Sequence, residues 1–335
     1  MSGHIGFFEA IVIGGLQGLT ELFPVSSLGH SVLVPALIGG TWAQDLNVST
    51  PESPYLAFIV GLHVATAIAL IVYFWRDWVR IVRGFVSSVR HRRVSGPDER
   101  LAWMIILGTI PVGITGLALE HPFRTVLGRP IPAAVFLMIN GAVLYGAERM
   151  RRRKAVAPLV PALVDGNGPA TVFVSRFARS DVPAVATTAE MEVDTDDESP
   201  QAREAADARL AQQGFGRAVL IASAQVFALL PGISRSGITM AAGLWRGLSH
   251  EDAARFSFLL ATPVILAAGV LKIPDLAGHL GDGVRGQVLA GSVASGVAAY
   301  LSVRFLTRFF RTRTLMPFAI YCLIAGALSF IVLAL

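Results

Sequence analysis

The sequence predicts an all-α integral membrane protein, with about six transmembrane helices plus two re-entrant half-helix pairs in an inverted-topology repeat. Three observations predict this class. Charged residues are 15% of the 335-residue chain, against roughly 25% in soluble domains, and mean hydropathy is +0.60. Several apolar stretches approach the ~20 residues needed to cross ~30 Å of hydrocarbon. The loops between them alternate between Arg-rich and Arg-poor.

In chain order, residues 5–40 are apolar but broken by Gly14, Gly15, Gly18, Pro24, Gly29 and Pro35. Pro and Gly stop helices, so this stretch reads as a re-entrant pair of half-helices. Spans follow at about 54–75, 101–119 and 131–148. Residues 155–213 hold Pro161, Gly166, Gly168, Pro183 and an acidic run from Glu190 to Glu198, a composition too polar to build a core. They read as a cytoplasmic, largely disordered linker with a short helix near 201–213. Residues 216–248 form a second broken stretch, interrupted at Pro231, Gly232 and Gly237, and spans follow at about 255–273, 286–306 and 314–335.

Charge sets the weave. The 76–100 loop carries Arg76, Arg80, Arg83, Arg90, Arg92, Arg93 and Arg100; the segment after 148 opens with Arg149, Arg151, Arg152, Arg153 and Lys154; the 304–313 loop holds Arg304, Arg308, Arg311 and Arg313. The loops near 120–130 and 274–285 are much poorer in basic residues. With the basic loops in the cytoplasm, one broken stretch enters from outside and the other from inside. The expected organisation is a first inverted repeat (1–150), a linker (151–215) and a second repeat (216–335), with function where the broken stretches meet.

The net charge of +5 does not point to nucleic acid, because the basic residues sit in membrane-flanking loops. The single cysteine, Cys322, excludes an internal disulfide and a Cys-rich metal site. No basic segment precedes the first apolar stretch, so no cleavable signal peptide is expected. The sequence carries no signal of oligomeric state.

Chemistry concentrates at the two breaks. The first reads Gln17-Gly-Leu-Thr-Glu21-Leu-Phe-Pro-Val-Ser26-Ser27-Leu-Gly-His30. Gln17 and Glu21 share a helix face at i, i+4, and the turn at Pro24 brings Ser26, Ser27 and His30 toward Glu21. An intramembrane carboxylate marks a functional site by default. With a hydroxyl and an imidazole it can activate a nucleophile or hold a metal. The second break reads Pro231-Gly-Ile-Ser234-Arg235-Ser236-Gly-Ile-Thr239 at a helix start. Helix N-termini and Arg both suit phosphate, so Arg235 is paired either with such an anion or with Glu21. The plainer reading is a buried Glu21–Arg235 ion pair holding the halves together, with the serines bonding to helical carbonyls. His63 and Asn140, within spans, are expected as satisfied core groups, and Glu120 and His121 as solvated. Met104, Met138 and Met240 are expected to pack. No Walker loop, zinc spacing or Gly-x-Ser-x-Gly elbow appears in a meaningful context.

At these motifs the chain resembles the undecaprenyl-diphosphatase, or bacitracin-resistance, family. The family's first signature is similar to 17–30 and its second, Pro-Gly-x-Ser-Arg-Ser-Gly, to 231–237; Phe256–Pro263 and Pro317–Tyr321 are also similar to family patterns. The resemblance covers nearly the whole chain outside 155–213. It implies hydrolysis of undecaprenyl diphosphate to the monophosphate carrier reused in cell-wall synthesis. It also implies a multi-pass protein of the bacterial cytoplasmic membrane whose active site opens to the outer face, and a divalent cation, Mg²⁺ or Ca²⁺. Carried over by position, Ser27 is the nucleophile or its close neighbour, His30 an acid/base, Glu21 a metal ligand or base, and Arg235 a diphosphate clamp. Gln17, Ser26, Ser234 and Ser236 are supporting substrate-binding groups. The chain departs from the family at Gln17, where many members have Glu; at Leu28, where Thr or Ser is frequent; and at Cys322, where Arg is usual. Two rivals from other classes are a transporter or flippase of an anionic polyprenyl phosphate lipid, since inverted repeats with broken helices are typical of transporters, and a catalytically silent scaffold.

Overall fold

The computed structural model describes residues 5–46, 54–122, 126–155, 200–277 and 284–335. The acidic run and most of the expected linker lie outside the described residues. Among these residues the secondary structure is helical throughout. The elements are α1 (Phe7–Leu22), α2 (Ser27–Ile38), α3 (Gly40–Asp45), α4 (Pro54–Tyr73), α5 (Trp75–His91), α6 (Pro97–Pro122), α7 (Pro130–Ala155), α8 (Pro200–Ala211), α9 (Phe215–Ser223), a 3₁₀ turn (Ala224–Leu229), α10 (Arg235–Trp245), α11 (His250–Ala277), α12 (Arg285–Thr312) and α13 (Met316–Ala334).

Five helices are long and apolar enough to cross a membrane: Pro97–Leu119, Pro130–Arg153, His250–Val270, Arg285–Thr312 and Met316–Ala334. A sixth candidate is the α4–α5 pair, bent by 86°. Each expected span therefore falls on a helix, and the protein is an all-α integral membrane protein. Most of these helices outrun their expected spans, because a helix continues after its side chains turn basic at the hydrocarbon edge. Arg149 to Arg153 extend α7, and Arg308 and Arg311 extend α12.

The expected loop at 76–100 needs correction. Residues 75–91 are helix α5, one face of which carries buried Asp77, Ile81, Gly84 and Ser88. The expected helix near 201–213 is present as α8. Glu120 and His121 lie on the last turn of α6, and their side chains lie outside those described.

The helix partnerships come in matched pairs. α1 packs on α12 as α9 packs on α6; α4 packs on α12 as α11 packs on α6; α10 packs on α7 as α2 packs on α13; and α4 meets α11 while α7 meets α13. The α1–α12 contact is the closest. A Cβ at Gly14 would lie 2.2 Å from the Gly291 carbonyl oxygen, and one at Gly18 would lie 2.1 Å from that of Ser295. Small residues four apart on both helices let the backbones touch, which is how helices associate in lipid without a hydrophobic driving force between them.

Away from the breaks, α8 is held by buried charge. Arg255 donates to Asp207 at 2.8 and 3.0 Å and lies 3.0 Å from Asp77, while Arg80 donates to both Asp77 and Asp207 at 2.6 Å. Both carboxylates are 1% exposed, so desolvation is offset only because each has two or more cationic partners. Arg209 adds a fork onto Asp252 at 2.7–3.2 Å.

Gly18→Ala is expected to lower stability by about 1–3 kcal/mol, the usual cost of overpacking, because the displaced neighbour is backbone. A fall in the thermal unfolding midpoint in detergent would report it; an unchanged midpoint would show that the two helices can separate freely.

Candidate active site

The first break follows from Pro24. The residue before a proline is pushed out of the helical region, and Phe23 takes φ −65°, ψ 142°. The chain then reverses through Ser26, at φ 70°, a conformation uncommon for a residue with a side chain. Ser26 caps α2, its hydroxyl accepting from Gly29 N at 3.2 Å, and the same oxygen accepts from Gly232 N of the second break at 3.2 Å. The second break needs Gly232, which sits at φ 112° with the Ala133 carbonyl 2.5 Å from where a Cβ would be. Ser234 caps α10 by accepting from Gly237 N at 3.1 Å.

The two breaks are therefore sewn together. Ser234 and Ser236 hydroxyls lie 3.3 and 3.2 Å from the Phe23 carbonyl as donors. Asn140 of α7 donates to the Pro24 carbonyl at 3.0 Å and accepts from Ser234 N at 3.1 Å. Asn140 is thus a satisfied core group, as expected. The backbone groups that the breaks free from helical bonding find partners in each other, as hydrocarbon requires.

On this frame sits a polar cluster centred on Glu21, whose side chain is 4% exposed. Glu21 Oε2 accepts a hydrogen bond from the Ser27 hydroxyl, and further bonds from Gln17 Nε2 at 3.3 Å and, across an ion-pair distance of 3.2 Å, meets His63 Nε2. Oε1 lies 3.7 Å from Arg235 NH1. That guanidinium nitrogen is buried and has no hydrogen-bond partner. Gln17 is oriented from behind: its Oε1 accepts from Ser295 at 2.5 Å and Thr66 at 3.1 Å.

His63 is satisfied, as expected of a core group, and one of its partners is Glu21. Its Nδ1 faces the Ile59 carbonyl at 2.8 Å and its Nε2 faces Glu21, so both nitrogens meet oxygen acceptors. A proton therefore lies between Nε2 and the carboxylate, an assignment made from the partners. His30 is arranged differently. Nδ1 faces the Ser26 carbonyl at 2.7 Å, and Nε2 meets the Tyr321 hydroxyl at 2.7 Å, with the two rings stacked. In the neutral ring Nδ1 carries the hydrogen and Nε2 accepts from Tyr321.

Of the sequence-predicted residues, the structure gathers Gln17, Glu21, Ser27 and Arg235 into direct contact. Ser26, Ser234 and Ser236 are buried with their hydroxyls turned to the seam between the breaks. His30 makes no hydrogen bond to Glu21. Sequence reasoning gave no role to Tyr321, Thr66 and Ser295. The available signals were that Tyr321 closes the family-like stretch Pro317–Tyr321 and that His63 and Thr66 stand i, i+3 on one helix face. Cys322 lies buried behind the first break, with Sγ 3.4 Å from Asn140 Nδ2.

Donors in the cluster suit a hard cation only in part. Glu21 is its one carboxylate, and among the described residues no group of three or more His, Cys, Asp or Glu side chains comes together. This set fits a cation that takes most of its oxygens from phosphate and water, as Mg²⁺ commonly does, and does not form an all-protein cage.

Comparison with known proteins adds to this geometry. The family model described as bacitracin resistance protein BacA matches residues 10–168 and 183–328. A protein of Mycolicibacterium paratuberculosis named undecaprenyl-diphosphatase is 63% identical over 335 residues, covering all of both chains. One of Mycobacterium avium with that name is 62% identical over the same full length. A protein of Chromobacterium violaceum named undecaprenyl-diphosphatase 2 is 37% identical over 327 residues, 96% of each chain.

Asn140→Ala is expected to cost about 1–3 kcal/mol, because it leaves the Pro24 carbonyl and Ser234 N–H buried without partners. Chemical or thermal unfolding in detergent measures it, and wild-type stability in the variant would show that the seam holds without Asn140.

Proposed function

Because the chain belongs to the bacitracin resistance protein BacA family, we infer that it is an undecaprenyl-diphosphatase, hydrolysing undecaprenyl diphosphate to undecaprenyl phosphate and inorganic phosphate. This recycles the lipid carrier and underlies bacitracin resistance. The full-length relatives carry the phosphatase name, which favours hydrolysis over lipid transport alone. The observation that carries the mechanism is the pairing at Glu21: a Ser27 hydroxyl donating to it, beside an Arg235 guanidinium nitrogen that is buried, 3.7 Å from the carboxylate and without a hydrogen-bond partner.

An unsatisfied buried cationic donor is costly, and a diphosphate oxygen would satisfy it. In our reading Arg235 and the start of α10 hold the terminal phosphate. Ser27 Oγ attacks its phosphorus as its proton passes to Glu21 Oε2. The bond from that phosphorus to the bridging oxygen breaks, the electron pair leaves with undecaprenyl phosphate, and a phosphoserine remains. Water then attacks the phosphoserine phosphorus, giving a proton to His30 Nε2; the bond from phosphorus to Ser27 Oγ breaks, Oγ takes its proton back from Glu21, and inorganic phosphate leaves as His30 gives its proton to solvent. Tyr321 holds His30 until then. Gln17 keeps Glu21 oriented.

Glu21 is also the carboxylate that would hold a divalent cation, Mg²⁺ or Ca²⁺. When bound, that cation neutralises charge on the phosphates. We further read the matched helix partnerships as an inverted repeat with residues 1–150 and 216–335 as its halves and 151–215 as the connection. Basic loops on the cytoplasmic side would then open the site to the outer face of the bacterial cytoplasmic membrane.

Phosphate release from undecaprenyl diphosphate in detergent tests this reading. Ser27→Ala and Glu21→Gln are expected to lower kcat by about 10²-fold or more, the scale of a lost general base or its nucleophile. Arg235→Ala is expected to raise KM by roughly 10- to 100-fold, as for a charged hydrogen-bonding group. Chelation is expected to abolish release and Mg²⁺ or Ca²⁺ to restore it. Acid-quenched enzyme should carry one phosphate on Ser27. Full activity in Ser27→Ala would remove the covalent step, and no release from folded wild type would remove the phosphatase.

Tyr321→Phe is expected to slow turnover by about fivefold with little change in KM, one hydrogen bond to the proton carrier being worth about 1 kcal/mol. Steady-state kinetics of that variant measure it, and unaltered kcat would detach Tyr321 from the reaction.

A further inference from the structure

The α4–α5 bend turns the chain through 86° at Phe74. With α4 alone as the crossing segment, rather than the bent pair, α5 is nearly perpendicular to it and lies close to the plane of the membrane, within the tilt that spans commonly show. The surface of α5 fits that placement. Trp75, Val79, Val82, Val86 and Val89 are 39 to 57% exposed. They recur at 4, 3, 4 and 3 residues and so form one stripe, about 80° wide at 3.6 residues per turn. The opposite face holds buried Asp77, Ile81, Gly84 and Ser88 and packs on the protein.

Beside the apolar stripe runs a second one. Arg76, Arg83 and Arg90 are exposed and stand seven residues apart, about 10 Å per step along the axis. They occupy the next about 40° of the surface, on one flank only. Arg76 stacks over the Trp75 ring at 5.3 Å. Arg83 and Arg90 make no ion pair with any described residue, whereas Arg80, on the buried side of the same helix, pairs with Asp77 and Asp207. Three exposed cations in a row with no carboxylate partner among the described residues, beside an apolar stripe, are complementary to anionic headgroups above acyl chains.

We propose that α5 is an interfacial helix that binds anionic phospholipid, with the Trp75–Val89 stripe in the acyl boundary and Arg76, Arg83 and Arg90 on the headgroup phosphates. The proposal depends on the chain crossing the membrane and is independent of the phosphatase chemistry. The bend, which lays α5 along the membrane plane, and the row of cations on one flank of the stripe favour lipid over an aqueous protein partner.

The test is quenching of Trp75 in nanodiscs by lipids brominated along the acyl chain, taking the signal of Trp75 as the difference between wild type and Trp75→Phe. Brominated phosphatidylglycerol is expected to quench it more than brominated phosphatidylcholine at the same mole fraction. In Arg76→Gln/Arg83→Gln/Arg90→Gln the two lipids are expected to quench alike, with a loss of up to about fivefold in local lipid preference per cation removed. Absence of quenching by either lipid would place α5 outside the bilayer. Equal quenching in the wild type, or a preference that survives the triple substitution in a protein that melts like the wild type, would remove the arginines as lipid ligands.

Discussion

The rest of the structure depends on the exchange of hydrogen bonds between two interrupted helices. In hydrocarbon a freed N–H or C=O has no water to bond, so a single break would be a defect. Here the Pro24 and Phe23 carbonyls are met by Asn140, Ser234 and Ser236, while Gly232 N is met by Ser26. Each break makes the other tolerable. The polar cluster at Glu21 inherits its rigidity from that exchange, because Ser27 and Arg235 are the residues immediately after the two caps, Ser26 and Ser234.

Satisfying the backbone also explains why so few hydroxyls face the cluster. Three serines look like ligands in the sequence, yet their oxygens complete the seam. Ser27 alone turns to the carboxylate. Selection between adjacent serines is made by backbone direction: Ser26 at positive φ aims its side chain at the second break, and the next residue enters the helix on the side of Glu21.

The fold class, the two breaks, the apolar spans and the core of the cluster were legible in the sequence because each is written locally. Apolar runs give spans, Pro24 and Gly232 give breaks, and Gln17 and Glu21 share a face by spacing alone. The remaining partners were not legible. Tyr321 reaches His30 across 291 positions and Ser295 reaches Gln17 across 278, and nothing near either residue announces the contact. His63 reads as an ordinary span residue until Glu21 is known to face it. Helix α5 was hidden for another reason: its arginines lower the local hydropathy and mask the periodic valines between them.

The anchors on α11 bear on the segment that varies most in character along this chain. Just before it, Glu148 lies 2.8 Å from His250, the first residue of α11. Just after it, Arg209 grips Asp252 and Asp207 grips Arg255. Both ends of the connection are therefore moored to the same two turns of one helix. Joining points that are already neighbours costs little entropy, and doubling the length of the joining chain adds only about 0.6 kcal/mol. The chain on either side of residues 156–199 is thus brought together by charge pairs on α11, so the closeness of these two ends is a property of the bundle itself.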